Sequence, residues 1–231
     1  MEATEVRKLA ELEDTHWWYS ERRHLLAAAL RDTPPGAALD IGAAGGGNTR
    51  VLRRLGWRAT ALEYGADGAQ IAAERGLRVL RGDATSLPVA TESLDLVIAF
   101  DVLEHIPDDT SAAGEIFRVL RRGQSAIIAV PCDPELWSAH DDAVLHVRRY
   151  TRETLTKLLG GAGFDVLSMD SWNVLLRPVV KLRRRSSSGS DLERLNPVVN
   201  AGLKAIIAAE RVLPVKNRPG VSLVAKVRRP A

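Results

Sequence analysis

One segment, Leu39-Asp40-Ile41-Gly42-Ala43-Ala44-Gly45-Gly46-Gly47-Asn48-Thr49, limits the folds open to this 231-residue chain more than any other. An apolar run ends in it and a helical pattern begins in it. Glycines at such a junction let backbone approach a ligand closely, and a helix N-terminus favours an anionic group there. From about residue 36 to 130, short apolar runs at 37–41, 57–62, 77–81, 94–100 and 125–130 alternate with helical patterns at 46–55, 67–75 and 108–120. Most runs are nearly continuously apolar, as strands covered on both faces are. Strict alternation of strand and helix specifies a parallel sheet with right-handed crossovers.

The flanks follow another pattern. Residues 1–31 read as two helices, with His16-Trp17-Trp18-Tyr19 between or opening them, and Pro34-Pro35-Gly36 breaks the second. After residue 130 comes an irregular stretch rich in Pro, Asp and His. A helix at 152–159, ended by Gly160, Gly161 and Gly163, precedes a sixth strand at 164–169. A seventh is expected at 221–227. Between them lies an insert of two helices, 172–185 and 197–213, joined by a flexible serine-rich link at 186–190. Pro178 should kink or delay the first of these helices. Its LLRPVVKLRRR run mixes apolar and basic residues, which suits an interfacial membrane helix or a docking helix with a solvated basic side.

Charge divides along the same boundary. Residues 172–231 hold 13 Lys/Arg against 3 Asp/Glu, while the preceding 171 residues hold 19 against 26. A basic tail on an acidic body suits contact with an anionic surface. The single cysteine, Cys132, excludes an internal disulfide and a four-cysteine zinc site. No apolar run approaches the ~18–20 residues that span a bilayer, and the charged N-terminus does not read as a signal peptide. The expectation is a cytoplasmic protein, with peripheral membrane contact through the insert as an option.

Glu63 ends the second strand, 23 positions after Asp40, where a carboxylate can accept two ribose hydroxyls. Glycine loop and carboxylate within one strand–helix–strand unit point to a nucleoside-containing ligand. No frame of the loop fits the dinucleotide fingerprint G-x-G-x-x-G. Two further motifs follow: Arg81-Gly82-Asp83-Ala84 at the end of strand three, and LDLVIAFDVLEH over residues 94–105 through strand four.

This ordered set resembles class I S-adenosylmethionine-dependent methyltransferases, and within them the small-molecule branch of UbiG- and UbiE-like enzymes. The resemblance is strong over residues 36–130 and loose over the rest. It implies a seven-stranded, mostly parallel α/β sheet with a helical lid at 1–33, a methyltransferase domain at 34–231, and a basic helical insert at 171–219 within it. It implies that Asp40, Gly42, Ala44 and Gly46 wrap the methionine part of the cofactor. Glu63 would hold the ribose, Asp83 and Ala84 the adenine, and Phe100 with Asp101 the methionine side. Two positions depart from the family: its middle glycine is Ala44, and its Pro-Gly-Gly turn is Arg122-Gly123-Gln124.

Candidate bases are histidines, whose ordinary pKa suits proton transfer near neutrality. His105 follows strand four, while His140 and His146 fall after strand five on the same sheet edge. Asp141, Trp17 and Tyr19 are candidate acceptor contacts, although adjacent Trp17 and Trp18 should not both face one pocket. His140, Asp141 and His146 have metal-ligand chemistry, but too few carboxylates for a catechol-type site, and no metal is expected. The reading is methyl transfer to an oxygen or nitrogen of a small or lipid-linked acceptor. A nucleic-acid methyltransferase is the first rival, weakened because the motifs of base methylation are missing. A non-catalytic membrane- or partner-binding protein is the second.

Overall fold

A computed structural model describes residues 3–184 and 195–231. The chain runs α1 (Ala3–Leu12), α2 (Trp17–Ala29), β1 (Ala37–Ile41), α3 (Gly47–Arg54), β2 (Arg58–Glu63), α4 (Ala66–Glu74), β3 (Arg78–Arg81) and β4 (Leu94–Phe100). There follow α5 (Asp109–Val119), β5 (Leu120–Pro131), the short α6 (Ala139–Ala143), α7 (Arg152–Gly161), β6 (Asp165–Trp172), α8 (Arg177–Arg184), α9 (Pro197–Glu210) and β7 (Ser222–Arg228).

The seven strands form one sheet in the order β3-β2-β1-β4-β5-β7-β6. β1 pairs in parallel with β2 and β4, and β5 with β4, while β7 runs antiparallel between β5 and β6. Strand order reverses between β1 and β4, so a crevice opens outside their carboxyl ends, where ligands of open α/β sheets sit. On one face, Val97, Ala99 and Ile128 pack with Ala112 and Ile116 of α5 and Leu155 and Leu159 of α7. On the other, Leu96, Ile98 and Ile127 pack with Leu26 of α2 and Leu52 of α3. Each valine, leucine and isoleucine among these contributes roughly 1.5–3 kcal/mol on full burial.

The glycine loop is built by packing from below. Gly46 caps α3 at φ +82°, and a Cβ there would meet Leu77 Cδ1 at 2.1 Å. Only glycine fits that position. α1 lies against α4 through an Arg7–Asp67 ion pair at 3.0 Å, and buried Glu13 accepts from Arg50 and Arg75. Arg75 also donates to Gly45 O, which straps the loop to both helices.

The first insert helix begins at Arg177 and not at residue 172, with Pro178 in its first turn, where a missing N–H costs nothing. Residues 172–176 instead finish β6 and turn under Glu210, which accepts from Val174 N at 2.8 Å and Leu175 N at 3.0 Å. That burial ends α9 at Glu210, short of residue 213. The 186–190 link lies outside the described residues. α2 and the insert clamp each other: Asn200 accepts from Trp17 N at 2.8 Å and donates to Thr15 O at 3.0 Å, and Arg211 pairs with Glu21. Among the described residues no helix is long and apolar enough to cross a membrane.

Candidate active site

Three structures meet at the carboxyl edge of β1 and β4: the glycine loop, the turn after β4, and the loop carrying α6. They enclose, with α2 and the insert, a cavity of about 320 Å³. Gly42, Ala43 and Ala44 line it from the glycine loop, and Leu176, Val179, Arg183, Arg184 and Leu203 from the insert. Gly42 and Ala44 have φ of +66° and +46°, so the loop turns its backbone toward the space above it.

Glu63 holds that loop. Its Oε2 accepts from Ala44 N at 2.7 Å and its Oε1 from Gly65 N at 3.1 Å, and the carboxylate is only half-buried, which leaves lone pairs for ribose hydroxyls. Asp40 does not reach the cavity. It is buried beneath the loop and accepts from Thr49 Oγ1 at 2.5 Å, so it anchors α3. Burial pushes its carboxyl up to about 7, against the opposing hydrogen bonds from Thr49. Asp83 is exposed and accepts from the backbone and hydroxyl of Thr85, both at 2.8 Å, while Ala84 is buried in the core. These two, like Gly46 and Glu63, lie outside the cavity wall, on the β2–β3 side of the same edge.

Phe100 and Asp101 line the cavity, and Asp101 carries φ +57°. Its carboxylate receives Arg22, a residue that sequence patterning passes over. The Arg22 guanidinium is buried and stacks on Trp172, Trp18 and Phe100, at 4.8, 5.2 and 5.5 Å from their ring centroids. Trp17 and Trp18 both line the cavity, contrary to the expectation that only one could. The reason is that Trp17 is the first residue of α2, and Trp172 lies within reach of both rings, at 6.4 and 4.4 Å. Tyr19 lines it too.

All three candidate histidines face this space. His146 is held by Asp141 Oδ1, 2.8 Å from its Nδ1, and its Nε2 lies 3.8 Å from Glu104 Oε1. His105 Nδ1 lies 3.4 Å from Leu145 O, and the His105 and His146 ring centroids are 4.7 Å apart. Burial, together with His146, lowers the His105 imidazole to about 4. His140 lies 6.2 Å from His146, ring to ring.

Asp141 is no acceptor contact. It is fully buried, caps α6 by accepting from Ser138 N at 3.0 Å, and accepts from Arg149 Nε at 2.8 Å. Burial alone would raise its carboxyl; the His146 and Arg149 contacts outweigh that and hold it well below the ordinary range. Its position also removes the His140–Asp141–His146 trio as a ligand set. Glu104 is fully buried, it lines the cavity, and neither carboxyl oxygen has a hydrogen-bond partner among the described residues. Desolvation, with Asp101 nearby, pushes its carboxyl well above the usual value. Arg22 Nε and Nη1 and both side-chain polar atoms of Asn173 are likewise buried on this wall without partners. The signal for Glu104 lay in DVLEH beside His105; Arg22 and Asn173 sit in stretches with no motif.

Residues 39–128 match the profile of a methyltransferase-domain family. A relative from Mycolicibacterium smegmatis named "Probable S-adenosylmethionine-dependent methyltransferase" is 26% identical over 169 residues, which is 71% of this chain and 65% of the relative. The chain therefore spans just under two thirds of that protein's length. Among solved structures, a chain of the Haloferax volcanii complex between a methyltransferase activator and a methyltransferase superposes with TM-score 0.68 at 20% identity. It covers 99% of this chain and 96% of that one. Phosphoethanolamine N-methyltransferase 2 of Haemonchus contortus, solved with S-adenosyl-L-methionine, gives 0.63 at 18% identity over 89% of this chain and 52% of its own. The sheet is the Rossmann-like fold of class I methyltransferases.

Proposed function

We propose that this chain is a class I S-adenosylmethionine-dependent methyltransferase that methylates an oxygen or nitrogen of a small or lipid-linked acceptor. The observation that carries the reading is the continuity of one cavity. Its wall combines the backbone of Gly42–Ala44, the buried polar atoms of Arg22, Glu104 and Asn173, and the insert residues Leu176 and Val179. A wall with both buried polar atoms and aliphatic side chains suits an acceptor that joins a polar group to a hydrocarbon body, as the UbiG/UbiE-like reading of the sequence implies.

The residues fit the cofactor. Gly42 and Ala44 present backbone to the cavity, Glu63 keeps acceptor capacity beside them, and Phe100 with Asp101 closes the β4 side. When bound, the cofactor supplies a methyl carbon activated by a sulfonium. The protein's part is chiefly to position the acceptor, since in-line placement can contribute up to ~7–11 kcal/mol. Proton removal by a base contributes ~10²–10⁴-fold, roughly 3–5 kcal/mol. His105, His140 and His146 stand together on the cavity wall as the groups able to take or orient the acceptor's proton.

The insert supports a lipid-linked acceptor. Val179 and Leu182 of α8 are 60% and 69% exposed beside Lys181 and Arg183, and Val198 of α9 is 79% exposed. A thermal shift with S-adenosylmethionine, S-adenosylhomocysteine, NAD and NADP tests the core of the reading. Ligand at 100 times its Kd adds ~2.7 kcal/mol, or roughly 5–11 °C at this size. A rise confined to the two adenosyl-sulfur ligands is expected; a rise with NAD or NADP alone overturns the reading.

A further inference from the structure

Glu104 carries a structural oddity that the proposed reaction does not absorb. A fully buried carboxylate with two unpartnered oxygens is costly, and native proteins leave few such groups. Its surroundings are chemically specific. Ligand atoms of Glu104, His105 and His146 all lie within 4.8 Å of one another, and the three side chains share the wall of one cavity. His146 Nε2 and Glu104 Oε1, at 3.8 Å, are too far apart for a hydrogen bond. Two ligands about 2.0–2.2 Å from one tetrahedral ion lie about 3.3–3.6 Å apart, so small side-chain movements would bring this pair onto a common ion.

Both imidazoles are also oriented from behind. Asp141 accepts from His146 Nδ1–H, and the Leu145 carbonyl faces His105 Nδ1. The short contact favours the His146 tautomer that leaves Nε2 bare, and the longer one favours the same in His105. A ligating histidine that gives its other N–H to a carboxylate or carbonyl is the usual outer sphere of a protein metal centre. Asp141 is in turn held by Arg149 and Ser138, so His146 is positioned before any ion arrives.

We propose that Glu104, His105 and His146 form a binding site for one divalent transition-metal ion at the reacting end of the cavity. Two imidazoles and one carboxylate select borderline ions such as Zn²⁺, Mn²⁺ or Co²⁺, and three protein ligands leave positions open for water or substrate. The open positions would take a hydroxyl oxygen of the acceptor, which narrows the acceptor to an oxygen-bearing one. That role of the ion rests on the methyltransferase reading; its binding does not. The expectation from sequence was of no metal, judged on a trio that included Asp141. The structure moves the question to Glu104.

The test titrates chelator-treated full-length protein with Co²⁺ or Mn²⁺ alone, by calorimetry and by the visible spectrum of Co²⁺. S-adenosylmethionine thermal shifts are run on the same samples. Wild type should bind one ion with a spectrum of nitrogen and oxygen ligation. Glu104→Gln and His146→Gln should each weaken binding beyond the about 10–100-fold that loss of an outer-sphere partner costs. Equal binding by wild type and Glu104→Gln, or none by wild type, overturns the site. Should Glu104→Gln not fold, His105→Ala at its partly exposed position answers the same question. A protein that binds Co²⁺ but shows no shift with S-adenosylmethionine keeps the metal site and loses the methyltransferase reading.

Discussion

The backbone N–H of Ala44 donates to Glu63 Oε2 at 2.7 Å, so the loop after β1 and the acid after β2 form one unit. The same carboxylate holds Gly65 N at 3.1 Å, which positions the first turn of α4. Glu63 thus sets the loop's shape as well as offering oxygens to a ribose. Hydrogen bonds to a charged group are worth roughly 1.5–3 kcal/mol each. Glu63→Ala should therefore weaken S-adenosylmethionine binding by about 10–100-fold in calorimetry, with Glu63→Gln intermediate. Wild-type affinity in Glu63→Ala would place the cofactor elsewhere.

Asp40 should make stability depend on pH. Its folded pKa, about 7, lies above the ordinary 3.8, because burial disfavours the charge. The folded state therefore binds the proton more tightly than the unfolded one. The associated stability is fully present below pH ~4 and is lost as pH rises through 7, at up to about 1.4 kcal/mol per unit. Asp40→Asn cannot ionise and should lack this slope. Urea unfolding of both proteins between pH 5 and 8 gives the comparison; parallel curves would mean that Asp40 is charged throughout.

How far the sequence revealed this follows from what each signal depends on. β1 and β4 fall on the residues read from apolar runs, because strands covered on both faces need nothing but continuous hydrophobicity. β5 begins at Leu120 and not at residue 125, since Leu94↔Leu120 pairing across a register shift recruits polar residues that no pattern marks. Asp40 and Glu63 were legible as a pair, but not their division of labour, which depends on depth below the loop. Arg22 was invisible because its value arises from Asp101, Trp172 and Phe100, residues 78 to 150 positions away that only the fold assembles.

Arg22 is accordingly a test of how the lid is attached. It joins α2 to the end of β4 by an ion pair with Asp101 and to β6 by stacking on Trp172. Cation–π contacts contribute about 0.5–2 kcal/mol each when desolvated, and lysine reproduces the charge without the planar stack. Arg22→Lys should lower unfolding stability by about 1–2 kcal/mol and Arg22→Ala by more. Denaturant unfolding followed by tryptophan fluorescence reads both, since Trp18 and Trp172 flank the guanidinium. A stability unchanged in Arg22→Ala would detach the lid from the cavity wall.

The basic insert makes the last prediction. Val179 and Leu182 stand exposed beside Lys181 and Arg183 on α8, Val198 stands exposed on α9, and the whole 172–231 region carries ten more positive than negative charges. Basic side chains near an anionic leaflet contribute about 1 kcal/mol each and are screened by salt, whereas buried methylenes contribute about 0.8 kcal/mol each and are not. The two contributions therefore separate experimentally. Wild type should pellet with vesicles containing phosphatidylserine, and raising the salt should weaken that binding without abolishing it. Leu182→Asp with Val198→Asp should remove the salt-resistant part while leaving the S-adenosylmethionine thermal shift intact. A wild type that stays in the supernatant with anionic vesicles at low salt would turn the acceptor toward small soluble molecules.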